Sequence, residues 1–126
     1  MQRSEKLKHA RNLLLKLHKT LLDHERAIYE GIHGPKRPTE FLTILLEDPD
    51  FSWLRKFSVL IVDIDEMFAQ KDGYSEETVE VHLTKLRELI QMKDEDETFR
   101  AKYQAALQQD LDAATRQGEL HALFEN

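Results

Sequence analysis

Leu7, Ala10, Leu14, Leu17, Leu21, Ile28 and Ile32 recur at steps of three, four and once seven, and no glycine or proline interrupts the chain before Gly31. That spacing gathers seven apolar side chains into one stripe of a single helix. Ser4 is the expected cap at its start, and "GIHGPKRP" breaks the pattern after about Ile32. A helix of this length spans roughly 40 Å, and its apolar stripe requires several shorter helices to cover it. The first 32 residues therefore already restrict the chain to a helical bundle with one long spine.

The remaining segments suit that frame. Thr39 is expected to cap a short helix over "EFLTILLE", which Pro49 ends. From about Phe51 to Gln70, Trp53, Phe57, Leu60, Ile64 and Met67 share a face that Leu54, Ile61 and Phe68 widen, a breadth that predicts a central helix. "KDGY" makes a turn and Ser75 caps a further helix carrying Val79, His82, Leu83, Leu86, Leu89 and Ile90 at core spacing. A last helical region starts near Thr98, with Phe99, Tyr103, Ala106, Leu107, Leu111 and Ala114 as its apolar side, and Gly118 is expected to end or kink it. The reading is a single all-α domain over residues 1–126, an antiparallel bundle of four main helices plus a short connecting one.

Charge and composition narrow the functional classes. A net charge of -6 argues against general nucleic-acid binding, which depends on Lys and Arg neutralising phosphates. The first 19 residues run the other way, with Arg3, Lys6, Lys8, Arg11, Lys16 and Lys19 against Glu5 alone. Attraction to acidic segments such as residues 95–97 explains this most simply, because Arg3 and Arg11 lie off the polar side that a membrane-lying helix would need. No apolar run reaches the roughly 20 residues that span a bilayer, nor does the start carry a signal-peptide core, so a cytoplasmic chain is expected. The absence of cysteine removes thiolate zinc sites and cysteine nucleophiles.

The residues that could carry chemistry interrupt the apolar stripes. On a helical projection His18, Glu25 and Tyr29 fall within the arc of Leu7, Leu14 and Leu21, with Arg11 on the same side. His82 interrupts a second stripe, and Asp63 flanks Leu60 and Met67 on a third. Convergence of His18, Glu25, Tyr29, Asp63 and His82 would make an internal polar pocket for a small ligand or metal. The simpler reading is a closed hydrogen-bond network that fixes helix register, with Arg11 shielding Glu25. His9, His24, His33 and His121 read as solvated flank, loop or tail residues.

The specific motifs that would favour chemistry are missing. The chain does not supply the Glu-x-x-His on each of two helices that a di-iron bundle uses, nor His-Glu-x-x-His, an EF-hand loop, a phosphate-binding loop or a nucleophile elbow. No catalytic residue, metal or cofactor is expected. Four residues are candidates for an interface: Trp53, an aromatic of the kind that anchors protein contacts, and Leu120, Leu123 and Phe124 near the C-terminus. The phase of Trp53 with Phe57 and Leu60 favours a core position instead.

The stretches "LLLKLHKTLLDHERAIYE", "GPKRPTEFLTILLEDPDFSWLRKFSVLIVDIDE" and "VHLTKLRELI" resemble a group of small all-helical bacterial proteins of unknown function. The resemblance covers about residues 10–90 and implies a bacterial cytoplasmic helical bundle; it assigns no role to any residue. The expected function is non-enzymatic, a protein-interaction or regulatory bundle whose partner is another protein or a second copy of itself. Small-ligand or metal binding at the internal polar residues is the alternative.

Overall fold

The computed structural model describes residues 2–125. Among them six α-helices and one 3-10 segment form the fold, and no strand occurs. Helix α1 spans Arg3–His33, α2 Pro38–Glu47, α3 Arg55–Phe68, α4 Glu76–Ile90, α5 Glu97–Gln109 and α6 Leu111–Phe124; the 3-10 segment Pro49–Leu54 leads into α3.

Helix starts follow the local chemistry of their caps. Ser75 accepts a hydrogen bond from the Thr78 amide at 3.1 Å and caps α4 as expected. Asp48 accepts from the Asp50 amide at 2.9 Å and opens the 3-10 segment, with Pro49 at its first position. Two expected caps lie inside helices instead. Ser4 belongs to the first turn of α1, and Thr39 follows Pro38, whose fixed φ already suits the first helical position of α2.

The last helical region differs most from expectation. It breaks at Asp110, not at Gly118, and yields two helices: Asp110 leaves helical backbone conformation and its carboxylate accepts from the Ala113 amide at 3.1 Å. A strong N-cap thus starts a new helix where sequence periodicity carries on. Gly118 sits within α6 on its exposed side.

Side-chain pairs set the directions of packing. His18 packs near Phe57, Arg11 bonds Asp65 and Lys8 lies over Phe68, so α3 runs antiparallel to α1. His24 meets Asp110 and Lys6 lies over Phe124, so α6 is antiparallel too. Arg3 pairs with Glu80, which places the start of α4 beside the start of α1 and makes those two parallel. Helix α1 is the hub, touching α3, α4, α6 and the 3-10 segment. Helix α3, expected at the centre, is a flank: it packs on α1, α4 and the 3-10 segment, and its far side faces outward.

At 31 residues α1 is about twice the 14 or 15 of α3, α4 and α6. Its neighbours end before it does, and the buried stripe stops at Leu21. Ile28 and Ile32, in phase with that stripe, are therefore exposed, Ile32 by 73%. Helix α5 closes this end of the core, where Trp53, Phe57, Phe99 and Tyr103 form a cluster with ring centroids 5.2 to 6.3 Å apart.

Candidate functional site

The five polar residues expected to converge lie in three places. Glu25 and Tyr29 line a cleft of about 140 Å³ with His33, Asp48, Asp50 and Lys102. Asp63 and His82 line a groove of about 510 Å³ between α3 and α4, with Glu66, Ser75, Thr78 and Lys85. His18 lies between these levels, half-buried, its ring centroid 6.3 Å from that of Phe57. These five residues thus share no single pocket: α4 starts beside the N-terminal end of α1, and its His82 lies in a different groove from Glu25.

Each group is understandable from its surroundings. Burial holds the His18 pKa below its ordinary value and favours the neutral ring. Burial pushes Glu25 up, opposed by the charges of Lys102 and His24 and reinforced by Asp50. Tyr29 packs against His33 and Phe51, with ring centroids 4.4 and 5.8 Å away. His82 is 9% exposed, and its Nδ1 donates to the Thr78 carbonyl at 2.8 Å, a bond that leaves Nε2 as the acceptor nitrogen of the neutral ring. Asp63 stands exposed on the rim.

Arg11 does not shield Glu25. Its guanidinium makes a two-pronged bond to Asp65, 2.9 and 2.8 Å, because antiparallel α3 sets Asp65 at that level, whereas Glu25 lies roughly 20 Å farther along α1. The basic N-terminal segment thus finds Asp65 and Glu80, not residues 95–97. Asp94 nearby binds Lys56 at 2.7 Å instead, and that bond holds its carboxyl below the usual range. His24, expected in solvent, is half-buried and joins α1 to the α5–α6 junction, 3.2 Å from Gln109 and 3.4 Å from Asp110.

No group of three His, Cys, Asp or Glu side chains among the described residues is placed to hold a metal ion. The expected interface residues are also accounted for internally. Trp53 is 4% exposed inside the aromatic cluster, its indole N–H without a partner among the described residues. Leu120 is fully buried, and Leu123 and Phe124 pack partly buried against the same core. Burial of the C-terminal segment follows from α6 packing antiparallel beside α1 from the level of His24 to that of Lys6.

Two features lie outside the expected candidates. Gln117 is buried in α6, where its Oε1 accepts from the Tyr103 hydroxyl and its Nε2 donates to the Ile90 carbonyl at 2.6 Å, tying α4, α5 and α6 together. Its phase with Ala113 and Leu120 is the signal that points to it. The second is two pairs of outward apolar side chains. Val59 and Val62 are 57% and 51% exposed on the side of α3 opposite Leu60, Ile64 and Met67, and Leu42 and Leu46 are exposed on α2. An Arg55 side-chain bond to the Leu46 carbonyl holds the end of α2 against the start of α3.

No helix among the described residues is long and apolar enough to cross a membrane. No family model, no curated protein and no solved structure matches the chain.

Proposed function

We propose that this chain is a protein-docking module that presents the outer face of α3, flanked by the end of α2, to a protein partner. The observation that carries the reading is the pair Val59 and Val62 at the centre of that outward face, more than half exposed although valine gains from burial. Leu42 and Leu46 add a second exposed apolar pair across the Arg55 link. The distribution of polar groups supports the same reading, since the side chains best suited to acid–base work are held apart in separate clefts. Sizing of the chain after chemical crosslinking in the intact cells that natively make it, which captures weak partners before dilution, tests the proposal. The native chain is expected to run well above the 14.8 kDa of one copy, and the Val59→Asp/Val62→Asp variant to collapse to that mass. A native chain that already runs as one copy would count against docking.

One observation favours a second reading, small-ligand binding. His82 Nε2 has no hydrogen-bond partner among the described residues, and the ring lines the groove between α3 and α4. A fragment screen read by amide NMR shifts, repeated on His82→Gln, tests it; shifts that cluster on Ser75, Thr78 and Lys85 and vanish in the variant are expected. Shifts indifferent to the substitution would end that reading.

A further inference from the structure

We infer that the outer face of α3 pairs with the same face of a second copy of this chain, the two helices antiparallel about a two-fold axis between Leu60 and Ile61. The inference rests on the docking reading above and names its partner. Arg55, Val59, Val62 and Glu66 are spaced four, three and four residues apart, which stacks them in one narrow stripe along α3. All four are exposed. The buried residues Phe57, Leu60, Ile61, Ile64 and Met67 lie on the opposite side, so this stripe forms the outer side of α3, where Arg55, Val59 and Glu66 also border the grooves toward α4.

The order of side chains in the stripe is self-complementary. It reads cation, valine, valine, anion, and a two-fold axis at its midpoint reverses that order on the opposing helix. Val59 then meets Val62 of the partner subunit, and Arg55 meets Glu66 of the partner subunit, with the same contacts repeated by symmetry. A parallel pairing would oppose like charges at both ends. Among the described residues neither Arg55 nor Glu66 forms an ion pair within its own chain; the one internal contact of the Arg55 guanidinium is to the Leu46 carbonyl. Both charges are free to act across such a contact. Isologous pairing places valine on valine at the dry centre and charge pairs at the rim, the usual division of labour in a protein interface.

The size of the face fixes the strength expected. One side of a 14-residue helix, even with Leu42 and Leu46 at its flank, offers less than the roughly 800 Å² per partner of a standard stable interface. Self-association is therefore weak and reads out at micromolar to millimolar concentration.

Sedimentation equilibrium on the purified full chain tests the pairing through charge reversal. Native protein is expected to show a monomer–dimer equilibrium. Arg55→Glu and Glu66→Arg should each weaken it about tenfold, because each sets like charges against each other at both ends of the seam. The double variant Arg55→Glu/Glu66→Arg should return to within about threefold of native, since exchange of the two charges restores both pairs. Arg55 also anchors the end of α2, so Glu66→Arg carries the single-variant test independently, with circular dichroism confirming the fold. A native chain that stays monomeric at every concentration would overturn the inference. So would a dimer indifferent to Glu66→Arg, or a double variant no tighter than either single. A larger complex in the crosslinked cells together with a strictly monomeric purified chain would keep the docking face, with a different protein as its partner, and discard self-pairing.

Discussion

Removal of the Gln117 carboxamide should destabilise the chain by an amount that depends on whether Tyr103 keeps its hydroxyl. Tyr103 is fully buried and donates to Gln117, which in turn donates to the Ile90 carbonyl at 2.6 Å. Gln117→Ala strips the partner from two buried polar groups and opens a small void. Each orphaned group costs about 1–3 kcal/mol, so a loss of roughly 3–5 kcal/mol is expected. That is a large share of the ~5–15 kcal/mol that holds a domain of this size together. Tyr103→Phe leaves only Gln117 Oε1 unpaired and should cost about 1–2 kcal/mol. In Tyr103→Phe/Gln117→Ala no hydroxyl remains to be orphaned. The double variant should therefore be more stable than the sum of the singles implies, by about 1–2 kcal/mol. Urea unfolding followed by circular dichroism measures all four proteins. Additivity within ~0.3 kcal/mol would show that hydroxyl and carboxamide do not act as a buried pair, and would refute the reasoning.

Other expectations rest on independent features. Burial raises the Tyr103 pKa well above its ordinary value of 10.0, so the folded state keeps a proton that the unfolded state releases. Its contribution is complete below pH 10 and falls by up to about 1.4 kcal/mol per pH unit above it; Tyr103→Phe should remove that part of the alkaline slope in a denaturation series. Glu25, also raised by burial, opposes folding once pH passes its unfolded value of 4.5, so Glu25→Gln should raise Tm at neutral pH and lose that advantage in acid. His18 is lowered by burial and disfavours the folded state as pH falls below 6.5; His18→Gln should flatten the acid limb that starts there. Val59→Asp/Val62→Asp should leave the stability of the isolated chain within about 0.5 kcal/mol of native, whereas Leu14→Ala, at a fully buried position, should cost about 3–5 kcal/mol in the same urea assay.

The helical class and most of the core are legible in the residues because burial follows phase: Leu7, Leu14, Leu17 and Leu21 recur with the period of the helix and are fully buried. Phase says which side of a helix is apolar but not where its neighbours stop. Ile28 and Ile32 keep the phase of the stripe yet protrude, because α6 begins at the level of His24. The break at Asp110 is masked by apolar residues that continue in step beyond it, and only the capping bond to Ala113 marks it.

The polar residues are less legible, because tertiary register decides which charges meet. Arg11 and Glu25 share a side of α1, yet antiparallel α3 delivers Asp65 to Arg11. Likewise His82 shares a helical phase with core leucines, but the parallel course of α4 relative to α1 sets it far from Glu25. Val59 and Val62 stand out only once the buried side of α3 is known.

A photo-crosslinking amino acid placed at single positions around α3 in the native cell tests docking through this helix most directly. Adduct yield, whether to another protein or to a second copy, is expected to peak at positions 59 and 62, stay high at 66, and fall to background at exposed Thr115 on α6. Equal yields at Thr115 and Val62, or none on α3 at all, would contradict a docking role for this face.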